Sequence, residues 1–100
     1  MICCSASGVG RVFGIRKDSS NNDYIIVEIE RPFFDSQKKV KFDYIPLFDW
    51  NDSSRRLTKY YDVGDIVAFK GRVETREEIG IIIVCEQISL ILKEKNSNSI

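Results

Sequence analysis

Histidine is absent from this 100-residue sequence, tryptophan and methionine occur once each, proline twice and cysteine three times. Without histidine the commonest general base and the commonest nitrogen ligand for transition metals are missing. Cys3, Cys4 and Cys85 are odd in number, and the adjacent pair lacks the spacing of a zinc knuckle or a thioredoxin-type site. They read as small apolar side chains in a reducing compartment, forming neither a disulfide framework nor a metal site. Net charge is missing too: 15 basic residues balance 15 acidic ones, so attraction to phosphate would have to come from the placement of charges rather than their sum. Long apolar runs are lacking. The longest, residues 79–85, is far short of a membrane span, and the opening Met-Ile-Cys-Cys-Ser-Ala-Ser-Gly has neither the basic region nor the apolar stretch of a signal peptide. A soluble, cytoplasmic chain is expected.

Catalytic signatures are equally sparse. There is no phosphate-binding Gly-Lys-Ser run and no nucleophile elbow, and Gly8-Val9-Gly10 is too short a glycine pattern to carry either. The acid pair Glu77-Glu78 reads as a charged turn between hydrophobic strands rather than as a general acid and base. Neither enzymatic activity nor a cofactor is expected.

What is present is strand signal, in a length that suits a single core. Residues 9–15, threaded by Gly8, Gly10 and Gly14, predict a bent or bulged strand; residues 18–23 predict a hairpin tip. In residues 24–30 the odd positions Ile25, Val27 and Ile29 are aliphatic and form the expected core face. An exposed connection over residues 33–39 leads to a third strand, residues 40–50, with Ile45 and Leu47 on one side and Phe42, Tyr44, Phe48 and Trp50 on the other. Residues 51–61 predict a short helix, with Asp52 and Ser53 as candidate N-caps. A fourth strand over residues 66–76 alternates Val67, Phe69, Gly71 and Val73 against Lys70, Arg72, Glu74 and Arg76. Residues 81–92 predict a fifth, aliphatic enough to be buried on both faces, and residues 93–100 a short disordered tail. The expected fold class is all-β: a five-stranded OB-fold barrel over residues 1–92, with a short helix between strands 3 and 4.

Aromatic rings and cations share segments, as a surface for single-stranded nucleic acid requires. Phe33 and Phe34 precede Lys38, Lys39 and Lys41; Phe42, Tyr44, Phe48 and Trp50 line one side of strand 3; Arg72 and Arg76 project from the outward side of strand 4. Packing under the helix or against another subunit is the competing use of the strand-3 rings.

Over residues 42–50 (Phe-Asp-Tyr-Ile-Pro-Leu-Phe-Asp-Trp), Leu57-Thr58-Lys59-Tyr60, Gly64-Asp65-Ile66-Val67 and Gly71-Arg72-Val73-Glu74-Thr75-Arg76, the sequence resembles the bacterial single-stranded DNA-binding protein family. The resemblance spans residues 24–92 and implies base stacking on Phe34, Phe42 and Phe48, backbone contacts from Arg72 and Arg76, and a homodimer or homotetramer. It implies roles in DNA replication, recombination or repair. The family's further aromatic after strand 4 would fall near Glu78, where this sequence has no ring, and its glycine after the strand-3 phenylalanine is Asp49 here. The family's acidic tail, which recruits replication proteins, has no counterpart in the closing Asn-Ser-Asn-Ser-Ile; a short tailless member is expected. The alternative is an OB-fold protein-interaction or primosomal-type accessory subunit, a dimer with RNA or no nucleic acid as ligand.

Overall fold

The computed structural model describes residues 4–32, 36–49 and 56–94. Five strands, β1 (Ser5–Lys17), β2 (Asp23–Glu30), β3 (Phe42–Asp49), β4 (Ile66–Arg76) and β5 (Gly80–Leu92), form a closed barrel in the order β1-β2-β3-β5-β4, with helix α1 (Arg56–Tyr60) between β3 and β4. This is the expected all-β architecture.

Closure depends on β1, which serves two neighbours. Its first half pairs with β4, from Ser5 opposite Arg72 to Arg11 opposite Ile66. Its second half pairs with β2, from Arg11 opposite Glu28 to Lys17 opposite Asp23, and the register shifts between Val12 and Gly14. That irregularity is the bulge the glycine pattern predicts; the extra residue raises the local twist and turns the strand from one neighbour to the other. The seam on the far side is the short parallel pairing of Leu47, Phe48 and Asp49 with Ile83, Val84 and Cys85.

Alternation sorts the side chains. Val12, Ile25, Val27, Leu47, Val67, Phe69, Ile83 and Cys85 fill the interior, with Leu57 of α1 joining them. Five residues of the helix are described, and the amide of Leu57 donates to Asp49 Oδ1 at 3.1 Å, so the end of β3 supplies an acceptor to the helix. The expected caps Asp52 and Ser53 lie outside the described residues. In β5 the prediction of burial on both faces holds for residues 82–85, whereas Leu90, Ile91 and Leu92 are exposed. The reason is that Ile82 and Val84 have a second apolar layer to pack against on the outside of the barrel, with Tyr24 and Phe48, and the end of the strand has none.

Backbone approach is closest at Gly71, where a Cβ would run into the carbonyl oxygen of Val84 on β5 and lie 2.9 Å from a methyl of Ile83. Gly10 is similarly enclosed, its missing Cβ falling 2.6 Å from the Glu28 carbonyl oxygen.

The far end of β5 is clasped by Asp65, the fully buried carboxylate before β4. It accepts from the amides of Asp62 and Glu94, each at 2.9 Å, and from Lys93 Nζ at 3.1 Å; Lys93 also reaches Asp62 at 2.6 Å. The Asp65 carbonyl takes the Val12 amide at 2.8 Å, which ties the clasp to the bulge. The expected tail thus begins with two anchored residues, Lys93 and Glu94, and residues 95–100 lie outside the described set.

Two outcomes follow. Gly71→Ala should lower unfolding stability in urea by about 1–3 kcal/mol, because backbone cannot yield as a side chain can. Burial alone would raise the Asp65 pKa, but the two amides and Lys93 outweigh it and hold the carboxyl below its ordinary value of 3.8. Its contribution is therefore complete above the unfolded value and lost as pH falls through the lowered folded one. Denaturation of wild type and Asp65→Asn at pH 7 and pH 3 should show a stability gap that narrows on acidification; an equal gap at both would contradict the clasp.

Candidate nucleic-acid interface

Paired residues on neighbouring strands point to the same face, so the outer surface can be read in rows across β1, β2, β3, β5 and β4. One row runs Arg16, Tyr24, Phe48, Val84, Arg72: Arg16 lies opposite Tyr24, Tyr24 stacks on Phe48 with centroids 4.4 Å apart at 14°, and Val84 lies opposite both Phe48 and Arg72. The next but one runs Arg11, Glu28, Tyr44, and the last pairs Glu30 with Phe42.

Tyr44 and Phe42 are the accessible rings, 50% and 42% exposed. Tyr44 meets Phe13 edge-on, centroids 4.9 Å apart at 61°. Partial burial and the neighbouring Glu28 carboxylate push its hydroxyl above the usual tyrosine value, so it stays protonated and able to donate. Phe42 borders a shallow groove with Val9, Arg11, Glu28, Glu30 and Ile66.

Phe48 differs from expectation. Instead of lying open, its ring keeps 3% exposure, stacked on Tyr24, packed against Ile82 and Val84, and covered by the Arg76 guanidinium 5.2 Å from its centroid. Apolar neighbours on β2 and β5 give the ring a place to bury, and the arginine completes the cover.

The expected cations are engaged by acids. Glu74 accepts from Arg72 Nε at 2.9 Å and from Arg76 at 3.3 Å, and Arg72 also reaches Glu86 at 3.5 Å. In the β2–β3 connection Lys38, Lys39 and Lys41 are exposed, with Lys38 in a left-handed conformation at φ 60. The ends of that connection are joined by the Arg31 amide donating to the Lys41 carbonyl at 2.8 Å, and by the two-pronged Arg31–Asp43 pair at 2.8 and 3.0 Å. That pair holds the Asp43 carboxyl below its ordinary value. Phe33, Phe34 and Trp50 lie outside the described residues.

At the upper rim two hairpin tips meet. The amide and hydroxyl of Ser19 both donate to Glu78 Oε1 at 3.0 Å, and Asp18 accepts from the amides of Ser20 and Asn22 at 2.9 and 2.8 Å. Those bonds from Asn22 and Ser20 keep the Asp18 carboxyl ionised below its usual range.

The face thus brings together Phe42, Tyr44, Phe48, Arg72 and Arg76. Three further residues, Phe13, Arg16 and Tyr24, belong to it and were not marked by the sequence reading. Tyr24 is legible there as an even-numbered residue opposite the aliphatic set of β2. Phe13 is not, because β1 sets glycines among its inward residues and Val9 and Phe13 among its outward ones, so hydrophobicity does not mark its faces.

No protein-family model and no curated protein matches the chain, whereas many solved structures do. The mitochondrial single-stranded DNA-binding protein of S. cerevisiae matches over 95% of this chain and 100% of its own, with 23% identity and a TM-score of 0.60. A small single-stranded DNA-binding protein from Streptomyces coelicolor matches over 90% and 95%, with 16% identity and a TM-score of 0.65. The protein PriB from Ralstonia solanacearum matches over 91% and 99%, with 8% identity and a TM-score of 0.62. The barrel, its helix and these likenesses agree: the chain has the OB fold seen in single-stranded DNA-binding proteins.

Proposed function

We propose that this chain binds single-stranded DNA without strong sequence preference, is not an enzyme, and works in replication, recombination or repair within the cytoplasm. The observation that carries the reading is the pair of half-exposed rings, Phe42 and Tyr44, on the β2–β3 face, with exposed Lys38, Lys39 and Lys41 leading into the Phe42 end of β3 and Arg72 and Arg76 lying beside Phe48 at its other end. Bases of any identity can stack on such rings while cations follow the backbone, and OB barrels use this face for oligonucleotides. Phe48 adds a third ring once Arg76 moves aside. Phe33, Phe34 and Trp50 extend the proposed path by sequence position. The likeness to proteins named for single-strand binding supports the same reading.

One observation favours a second reading. Arg11, Arg31, Arg72 and Arg76 are each paired with a carboxylate, and a surface so neutralised suits a protein partner. An OB-fold accessory subunit, with RNA or no nucleic acid as ligand, is that alternative. In either case we expect a homodimer or homotetramer, because Val9 on β1 and Leu90, Ile91 and Leu92 on β5 leave aliphatic surface exposed.

Anisotropy of labelled oligo-dT, oligo-U and a duplex, at low and moderate salt, separates the readings. Binding of oligo-dT but not duplex, weakening with salt, is expected; silence with every nucleic acid would leave the accessory-subunit reading. Tyr44→Ala and Phe42→Ala should each cost about 1–3 kcal/mol of oligo-dT binding while leaving the fold intact by circular dichroism. Analytical ultracentrifugation should show a dimer or tetramer; a monomer at micromolar concentration would contradict the assembly.

A further inference from the structure

Along the outward side of β4 the sequence reads Arg72, Glu74, Arg76, an acid set between the two cations of the candidate face. The two Glu74 oxygens are divided between them: Oε2 takes Arg72 Nε at 2.9 Å and Oε1 takes Arg76 Nη2 at 3.3 Å. Arg76 is also the residue that covers Phe48. One carboxylate therefore holds both arginines, and one of those arginines closes the third ring. Other charges nearby include Glu86 on β5, which shares Arg72, Asp18 in the β1–β2 turn, close enough to Arg76 to feel its charge, and Glu77 and Glu78, which line a groove with Arg76 and Asp18. Arg72 and Arg76 keep more than a third of their side-chain surface in water and Glu74 just under a third, so these bonds can exchange for others.

We propose that Glu74 is an intramolecular competitor for the strand's phosphates, an electrostatic gate that keeps Arg72 and Arg76 occupied and Phe48 covered until a nucleic-acid backbone displaces it. The inference rests on the strand-binding reading above and adds the regulation of that face. Phosphate and carboxylate compete for the same guanidinium geometry, and a bidentate phosphate contact replaces what the arginine gives up in leaving Glu74. Moving Arg76 off Phe48 then presents a ring for stacking, so cation engagement and ring exposure are one event. The gate lowers affinity for any strand, and its effect resides in charge rather than in shape.

The test is oligo-dT affinity by anisotropy at low salt for wild type, Glu74→Gln and Glu74→Ala. Gln retains an oxygen that can still accept from arginine, whereas Ala removes it. Both variants should bind roughly five- to tenfold tighter, the scale of one like charge removed near a phosphate in a partly aqueous setting. Asp62→Asn, at the opposite end of β4, changes the net charge equally and should leave affinity unchanged. In an Arg72→Ala/Arg76→Ala background the gain from Glu74→Gln should disappear. Unchanged or weaker binding by both Glu74 variants, with wild type binding, overturns the gate and leaves strand binding intact. An equal gain from Asp62→Asn does the same. Absence of binding by wild type and every variant overturns the strand-binding reading and the gate with it.

Discussion

A sheet of five strands closes here because β1 divides itself, giving its first half to β4 and its second half to β2. The bulge between Val12 and Gly14 makes that division possible, and the buried Asp65 secures it: the Asp65 carbonyl takes the Val12 amide and its carboxylate gathers the amides of Asp62 and Glu94 with Lys93. Everything functional follows from closure. With the interior filled by one set of alternating residues, the other set is displayed on the outside, and on β2, β3 and β5 that outer set mixes Tyr24, Phe42, Tyr44, Phe48, Ile82 and Val84 with the acids Glu28, Glu30 and Glu86. A closed barrel also has few free edges, so recognition falls to faces and loops.

The outer face is neutral by local pairing, not by absence of charge. Arg31 with Asp43, Arg72 with Glu74 and Glu86, Arg76 with Glu74, and Arg11 with Glu94 balance cation by cation what the composition balances in sum. Such exposed pairs contribute little to stability. Their consequence is for binding, since a polyanion meets arginines that already have partners and must exchange one carboxylate for one phosphate.

The architecture was legible because it rests on short-range pattern. Alternation in residues 24–30 and 66–76 marked the interior faces, the glycines of β1 marked a bend, and Leu57 sat in a helical segment between the third and fourth strands. The site was legible only in part. Separation of Ile45 and Leu47 from Phe42 and Tyr44 located the face, but the same alternation could not show that Phe48 is roofed by Arg76 or that Glu74 holds both arginines, because these depend on which strands become neighbours. Phe13 escaped since the inward positions of β1 are largely glycine and its outward ones include Val9 and Phe13, and the burial of Asp65 escaped since its partners Lys93 and Glu94 lie 28 and 29 residues away.

Amide chemical-shift mapping on the isotope-labelled protein with added oligo-dT bears most directly on the claim that the outer face of β2, β3, β4 and β5 receives a single strand. Shifts concentrated at residues 42–48, 72–76 and 82–84, with Ser7 and Ala68 on the β1–β4 face unmoved, are the predicted result. Shifts centred instead on that β1–β4 face, or none at saturating oligonucleotide, would contradict it.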